Sequence, residues 1–225
     1  MTQSDDIILD PGFADRFARE KRPPCQLYLI SPPAIVDGFG DTLTRAIADG
    51  GVAAFQFRVK DLDDDDAMKI ATPLQTICAE HDVAFIINDS MALAKTLGAD
   101  GVHLGQSDGN AKDARALLGP TAQIGVTCHD NRHLAMEAGE AGADYVAFGA
   151  FFPSKTKAAT HRAEASILGW WTTLFDLPCV AIGGITPANA APIVAAGADF
   201  IAVSAAVWND PEGAAVAVQK FNALF

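Results

Sequence analysis

The sequence predicts an α/β fold, a single-domain (β/α)8 barrel, from three observations. First, helix-like stretches end in Gly-Ala-Asp at 98–100, 142–144 and 197–199, and each continues directly into an apolar segment. Glycine just past a helix can adopt the left-handed conformation that ends it, and a β-rich apolar run is typical of a strand buried on both faces. Second, eight such runs occur along the chain. Third, its 225 residues are near the usual size of one such barrel.

The eight predicted strands are separated by stretches long enough for crossover helices. They are the apolar runs 26–31, 53–59, 84–88, 101–105, 124–127, 145–149, 179–183 and 200–204. Several intervening stretches are amphipathic at helical spacing, as at Leu43 and Ile47. An open doubly wound sheet is the alternative. We expect a TIM barrel over residues 25–225.

Residues 1–24 precede the first predicted strand and form a short N-terminal extension. Residues 13–22 have helical character, which Pro23 and Pro24 end. Either the extension covers the bottom of the barrel or it is mobile, and the sequence favours neither.

The composition excludes several classes of protein. The formal net charge is −12, and without a long basic stripe this argues against binding to nucleic acid or to an anionic membrane. No apolar run approaches the roughly 20 residues of a membrane span, and the N-terminus lacks the pattern of a secretion signal. The four cysteines are widely spaced, which favours reduced thiols. We expect a cytoplasmic protein.

Polar residues follow the second predicted strand, at the barrel end where active sites lie. The two-residue period of a strand places Gln56, Arg58 and Lys60 on one face. Burying two cations is costly unless an anion meets them, and a guanidinium beside an ammonium suits a diphosphate. A structural ion pair of these cations with Asp89 or Asp108 is the alternative.

Two carboxylates follow the third and fourth strands. Asp89 ends Ile-Ile-Asn-Asp, and Asp108 ends His-Leu-Gly-Gln-Ser-Asp. Mg²⁺ commonly uses one or two protein carboxylates together with substrate phosphates. The pair therefore predicts a magnesium-diphosphate site, although Asp108 precedes Gly109 and Asn110 and could instead turn the chain or cap a helix.

A second anion site is predicted on the opposite side of the barrel mouth. Gly183 and Gly184 let backbone amides approach a ligand, and Thr186 and Pro187 are expected to begin a helix as its N-cap and first residue. The eighth strand ends in Val-Ser at 203–204, where such barrels often hold a phosphate. The loop after the sixth strand adds hydroxyl and ammonium groups.

Two histidines lie near the strand ends. His129 is either an acid/base group or a solvent-facing residue beside a helix start. His103, inside the fourth strand, is expected to be a hydrogen-bonded core residue.

These motifs, taken in order, resemble the thiamine-phosphate synthase family. The matching segments are Gln56-x-Arg58-x-Lys60, Ile87-Asn88-Asp89, Gly101-Val102-His103-Leu104-Gly105-Gln106-x-Asp108, Ser154-x-Thr156-Lys157 and Val180-Ala181-Ile182-Gly183-Gly184-Ile185. The resemblance covers about residues 26–210. It implies a Mg²⁺-dependent transferase that joins a (hydroxymethyl)pyrimidine diphosphate to a thiazole phosphate and releases pyrophosphate.

The resemblance also implies roles for individual residues. Contacts to the pyrimidine diphosphate would come from Gln56, Arg58, Lys60, Asn88, Thr127 and Lys157; Mg²⁺ would bind Asp89 and Asp108; and the thiazole phosphate would be held by Ser154, Lys155, Thr156, Gly184, Val203 and Ser204. The residues expected to act in catalysis are Arg58, Lys60, Thr127 and Lys157. Thr127 stands where the family usually has Ser, and Ser154 where it usually has Thr, so both hydroxyls are kept.

Three functions remain in competition at this point. The first is the transferase, with small-molecule substrates as its partners. The second is a tautomerase of the sister family, which would bind only the thiazole phosphate and use His129 for proton transfer. The third is a non-catalytic barrel that binds a phosphate ligand. The sequence allows a homo-oligomer but does not specify one.

Overall fold

The computed structural model describes residues 22–59, 62–153 and 162–225, which form a closed barrel of eight parallel strands in the order β1 to β8. The strands are β1 Gln26–Ile30, β2 Val52–Phe57, β3 Ala84–Asn88, β4 Gly101–Leu104, β5 Gln123–His129, β6 Tyr145–Gly149, β7 Cys179–Ile182 and β8 Phe200–Val203. β1 pairs with both β2 and β8, which closes the barrel. The predicted fold class is confirmed.

Helices connect the strands, as the spacing predicts. Within the described ranges they are α1 Phe39–Ile47, α2 Asp64–Glu80, α3 Met91–Leu97, α4 Ala111–Leu118, α5 Arg132–Glu140, α6 Ser166–Leu174, α7 Ala191–Ala195, α8 Ala205–Trp208 and α9 Ala214–Asn222. One expectation is wrong: Thr186 and Pro187 do not begin a helix, because α7 begins at Ala191. Instead, the Asn189 side chain accepts a hydrogen bond from the Thr186 amide and closes a turn there.

The repeated Gly-Ala-Asp joints have a common structure. Each glycine has a positive φ, 61°, 92° and 100° in chain order, as a left-handed helix end requires. Each aspartate accepts a hydrogen bond from the amide of the first or second residue of a neighbouring strand. Asp100 binds Phe85 N at 2.7 Å, Asp144 binds Ile124 N at 2.7 Å, and Asp199 binds Cys179 N at 2.8 Å. The carboxylates therefore satisfy strand amides at the lower rim of the barrel.

Arginines neutralise two of these carboxylates. Arg22 pairs with Asp199 at 2.7 Å, and Arg115 pairs with Asp144 at 2.6 Å. The Arg22 pair ties the first described residue to the barrel's lower rim. Residues 1–21 lie outside the described residues, so the extent and role of the N-terminal extension stay predictions.

Alternating strand residues divide the core into two layers. Residues such as Leu27, Leu29, Phe55 and Phe85 face the surrounding helices in a large buried cluster. The barrel interior holds a smaller cluster of Tyr28, Ile30, Ala54, Ile86, Tyr145, Ala147, Val180 and Ala202. Gln56 and His103 are also buried, and both are placed inside the barrel by their contacts with the interior tyrosines. The interior is therefore packed but carries a polar layer.

Two predictions about composition can be compared with the structure. All four cysteines are buried free thiols, and burial raises the pKa of each thiol to about 12. In the described part of the chain, no helix is both long enough and apolar enough to cross a membrane.

Candidate active site

The upper mouth of the barrel gathers predicted residues from several strands. Gln56 lies on β2, Asn88 on β3 and Thr127 on β5, whereas Arg58 and Asp89 immediately follow β2 and β3. Because parallel strands end at one rim, these positions share one end of the barrel. Lys60, Ser154, Lys155, Thr156 and Lys157 lie outside the described residues, so their predicted roles stay predictions.

Arg58 is positioned by a serine that sequence reasoning missed. The Ser31 hydroxyl accepts a hydrogen bond from the Arg58 amide at 2.9 Å and lies 3.1 Å from the Arg58 carbonyl oxygen, to which it donates. The Ser204 hydroxyl donates to the Ser31 carbonyl oxygen at 3.1 Å. Ser31 is buried. Through these hydrogen bonds it connects the ends of β1, β2 and β8, and it thereby links the predicted diphosphate and thiazole-phosphate regions.

Two charged groups at the mouth, Arg58 and Asp108, shift the pKa of His103. Burial and, to a smaller extent, the positive charge of Arg58 lower the pKa of His103 to about 4, against the opposing effect of the negative charge of Asp108. His103 is therefore neutral at pH 7. Among the described residues, Arg58 forms no ion pair with Asp108, so that structural alternative for the arginine is not realised.

Asp108 lies in a short turn in which its carboxylate packs against Gly105. Its Oδ2 accepts a hydrogen bond from the Gly105 amide at 3.0 Å. A Cβ at position 105 would lie 2.6 Å from the same oxygen, so a larger residue would push the carboxylate away. Asp108 thus turns the chain, as one alternative predicted, whereas the N-cap of α4 is Asn110.

Asp89 has an unusual backbone conformation at the end of β3. Its φ is 65°, a region that residues other than glycine rarely occupy and that is often found at functional sites. Its amide donates to the His103 carbonyl oxygen at 2.8 Å, which fixes the residue against β4. The next residue, Ser90, caps α3 through its side chain.

Asp89 and Asp108 are carboxylates of the kind that could hold a magnesium ion with further ligands from a substrate. They follow neighbouring strands, and β3 pairs with β4 through Asn88 and His103. Within the described ranges there is no group of three or more His, Cys, Asp or Glu side chains suited to a metal. Oxygen ligands from one or two carboxylates, completed by phosphate and water, are typical of Mg²⁺.

A continuous chain of hydrogen bonds crosses the barrel interior below the mouth. It runs from Gln56 through the two tyrosines to His103 and Thr127. The distances are 3.1 Å from Gln56 Nε2 to Tyr28 Oη, 2.9 Å from Tyr28 Oη to Tyr145 Oη, 3.1 Å from Tyr145 Oη to His103 Nδ1, and 2.8 Å from His103 Nε2 to Thr127 Oγ1. The predicted core role of His103 agrees with these contacts.

Sequence reasoning missed both tyrosines, although one signal was present. Tyr145 follows the second Gly-Ala-Asp joint, and the structure places it beside Gly125 on the adjacent strand. A Cβ at position 125 would come closer than 3.0 Å to the ring and hydroxyl of Tyr145. A glycine inside a strand often marks such a close approach, so Gly125 could have indicated a large interior partner.

The predicted thiazole-phosphate region is built on glycines with positive φ. Gly183 and Gly184 have φ values of 105° and 65°. A Cβ at Gly184 would lie 2.6 Å from the Phe152 carbonyl oxygen, so the loop after β6 packs directly on this glycine. The Asn189 side chain donates to the Gly184 carbonyl oxygen at 3.1 Å and steadies the turn.

The chain is similar to known proteins over most of its length. A family model described as thiamine monophosphate synthase matches residues 27–207. The thiamine-phosphate synthase of Erythrobacter litoralis is 62% identical over 197 residues, covering 86% of this chain and 92% of that protein. The thiamine-phosphate synthase of Hyphomonas neptunium is 50% identical over 212 residues, covering 92% and 96%.

A solved structure has a similar fold and a related sequence. Thiamine phosphate pyrophosphorylase from Pyrococcus furiosus superposes with a TM-score of 0.78 at 28% identity, covering 88% of this chain and 94% of that one. The family-model match over residues 27–207 spans the positions of the predicted site residues.

Proposed function

The chain belongs to the thiamine monophosphate synthase family, and we propose that it joins 4-amino-2-methyl-5-(diphosphooxymethyl)pyrimidine to a thiazole phosphate, forming thiamine phosphate and pyrophosphate. The observation that carries this proposal is the 62% identity to a thiamine-phosphate synthase over 86% of the chain. It agrees with the cation and carboxylates that follow β2, β3 and β4. The enzyme is a transferase of a pyrimidinylmethyl group.

Bond changes in this reaction need no protein nucleophile. The bond between the pyrimidine methylene carbon and the diphosphate oxygen breaks, and its electron pair leaves with pyrophosphate. The thiazole nitrogen supplies the pair for the new carbon–nitrogen bond. An electron-rich aminopyrimidine stabilises positive charge on the methylene carbon, so the protein's main task is to stabilise the negative charge of the leaving group.

Arg58 is the described residue best suited to that task. Its backbone is fixed on both sides by Ser31, and within the described residues no ion pair joins it to Asp108. A guanidinium binds phosphate oxygens through two parallel hydrogen bonds. Lys60 and Lys157, which lie outside the described residues, are proposed to contribute further positive charge.

Magnesium is proposed to bind between Asp89 and Asp108. When bound, Mg²⁺ would neutralise charge on the departing diphosphate. The Asp108 carboxylate is held by the Gly105 amide, and the backbone of Asp89 is fixed by its contact with β4, so part of the site is ordered before a ligand arrives. Such preorganisation lowers the cost of binding.

The thiazole phosphate is proposed to bind beside Gly184, Val203 and Ser204, with Ser154, Lys155 and Thr156 on the opposing loop. Support comes from the glycine turn at 183–184, whose positive φ angles suit a backbone anion site, and from the Ser204–Ser31–Arg58 contacts. Those contacts link this region to Arg58, which is consistent with a nitrogen that attacks close to the leaving group.

The tautomerase alternative is not favoured. The curated relatives described above are synthases, and the residues suited to a diphosphate and its metal are all retained. The presence of these diphosphate- and metal-binding residue types also argues against a non-catalytic phosphate-binding barrel.

A matched pair of variants tests the proposal. Replacing Arg58 by alanine should lower kcat/KM for thiamine phosphate formation by about 100-fold or more, because an oriented charge on the leaving group is lost. Arg45→Ala removes an exposed cation on α1 and should leave turnover unchanged. Circular dichroism checks that both variants are folded. Full activity of Arg58→Ala would contradict the proposed role.

A further inference from the structure

A large cavity opens at the lower end of the barrel, opposite the candidate active site. Its volume is about 750 Å³, which is within the range of pockets that bury small organic ligands. The residues of its rim start strands or directly precede them; they are Ala84, Asp100, Gln123, Asp144 and Phe200. The cavity therefore lies at the end of the barrel where the chain enters β1.

The walls of this cavity are mostly apolar. Ile86, Val180 and Phe200 line it, together with the two interior tyrosines, Tyr28 and Tyr145. Because both tyrosines belong to the hydrogen-bond chain below the mouth, the cavity lies directly beneath that chain. Removing apolar surface from water stabilises a protein in proportion to the area covered. A segment with apolar side chains would therefore be stabilised by covering this opening.

The rim of the cavity is acidic. Asp82, Asp100 and Asp144 all line it. Arg115 neutralises Asp144, whereas in the described ranges neither Asp82 nor Asp100 forms an ion pair. Two carboxylates at the opening can thus still pair with a cation. An occupant that combines apolar side chains with positive charge would complement both the walls and the rim.

The chain that precedes β1 is held at this same end of the barrel. The Arg22 guanidinium pairs with Asp199, just before β8, at 2.7 Å, and it donates to the Phe175 carbonyl oxygen. Phe17 is five residues before Arg22, a distance of about 7 Å in a helix and at most about 18 Å in an extended chain. Contacts made by the chain just before Arg22 therefore fall on the lower end of the barrel.

The sequence before Arg22 has the composition that the cavity requires. Phe13 and Phe17 are four residues apart, the spacing that places two side chains on one face of a helix. At the same spacing Arg16 and Lys21 flank this phenylalanine face on its two sides. Residues 13–22 contain four cations and two carboxylates, a net charge of +2 within a chain whose net charge is −12.

We propose that residues 13–21 of this chain dock on the lower cavity, with Phe13 and Phe17 against its apolar walls and the flanking cations at its acidic rim. The anchor at Arg22 gives this segment a high effective concentration at the cavity, which favours it over a second copy of the chain. The docked segment excludes water from the barrel interior beneath the tyrosines. This contact lies outside the family match, which begins at residue 27, so it is independent of the proposed function.

Trypsin tests the docking in the unaltered protein, because cleavage sites follow Arg16, Arg19 and Lys21. The reference is a synthetic peptide of residues 9–24, which contains the same sites. A docked segment is cut only when it opens, so the protein should be cleaved at these sites at least about tenfold more slowly than the peptide. Equal cleavage rates in protein and peptide would overturn the proposal, and this comparison needs no variant that must fold.

A pair of variants connects the protection to the phenylalanine face. Phe13→Ala/Phe17→Ala should raise the cleavage rate at least about tenfold and lower the Tm by at least about 4 °C, because the apolar contact is lost. Val36→Ala shortens a side chain that is 70% exposed and should change neither value. Circular dichroism checks that both variants are folded. Native protection in the folded double variant would overturn the assignment of these phenylalanines.

Two further measurements identify the contact and its source. In the double variant, hydrogen exchange should become faster at the rim, in residues 82–86 and 121–124, but not in α1. An unchanged rate at the rim would overturn the docking position. Dilution of the native protein by about a hundredfold should leave its protection from trypsin unchanged, because the occupant is tethered. Protection that is lost on dilution would show that a second copy supplies the segment and would overturn docking within one chain.

Discussion

Gly125 is the position where a single methyl group should disturb both the packing and the polar layer of the barrel. It lies on β5 directly beside Tyr145 on β6. A Cβ at position 125 would approach Cζ, Cε2 and the hydroxyl oxygen of Tyr145 closer than 3.0 Å, a separation that real Cβ atoms essentially never show. Gly125→Ala must therefore displace the Tyr145 ring, which is 8% exposed.

The magnitude has two parts. Forcing an extra carbon into a packed interior costs about 1–3 kcal/mol. The displaced Tyr145 hydroxyl also loses its contacts with Tyr28 at 2.9 Å and His103 at 3.1 Å, each worth about 0.5–1.5 kcal/mol. We expect a loss of roughly 2–6 kcal/mol in the free energy of unfolding, or a Tm lower by roughly 4–24 °C for a protein of this size.

Urea unfolding followed by circular dichroism measures this loss. The matched control is Gly169→Ala in α6, where the added Cβ would meet only the Ala196 carbonyl oxygen at an ordinary 3.5 Å. That variant should be neutral or more stable by up to about 1 kcal/mol, because alanine favours helix over glycine. A Gly125→Ala midpoint equal to that of the native protein would refute the packing argument.

Three further predictions concern charge. The pKa of His103 is about 4 in the folded protein and 6.5 in the unfolded chain, so the unfolded state takes up the proton first as the pH falls. The free energy of unfolding should therefore fall by up to about 3 kcal/mol between pH 6.5 and pH 4. Urea titrations of His103→Gln should show a flatter pH dependence. Asp144→Asn weakens a partly buried ion pair and a strand cap, so it should cost about 1–3 kcal/mol; Asp66→Asn, in an exposed pair, should cost below about 0.5 kcal/mol. Asp89→Asn should raise the Mg²⁺ concentration for half-maximal turnover at least about tenfold, whereas Asp113→Asn on α4 should not; an unchanged requirement in Asp89→Asn would contradict the metal site.

The barrel could be predicted because its signals are local. A glycine that ends a helix and an apolar run that follows it are both readable within six residues, and three copies of one joint established the repeat. The helix expected at Thr186 was wrong for a related reason. Pro and Thr there suit a helix start, but Asn189 offers its side-chain oxygen to the Thr186 amide and closes a turn first.

Much of the candidate site was also predictable, since polar residues after buried strands are conspicuous. Ser31, Tyr28 and Tyr145 were missed because their partners lie on other strands. The contact between Tyr28 and Tyr145 joins β1 to β6 across the barrel, and no local pattern indicates which interior side chains will meet there. Which interior side chains meet depends on the strand register in which the barrel closes, and that register is set only when all eight strands are assembled.

Product formation by the purified protein tests the central claim most directly. The protein is given the pyrimidine diphosphate and the thiazole phosphate together, then each alone, with Mg²⁺ and then with EDTA, and thiamine phosphate is measured by chromatography. We predict thiamine phosphate and an equal amount of pyrophosphate only when both substrates and Mg²⁺ are present. No product under the complete condition, from protein that still binds the thiazole phosphate, would contradict the assignment as a synthase.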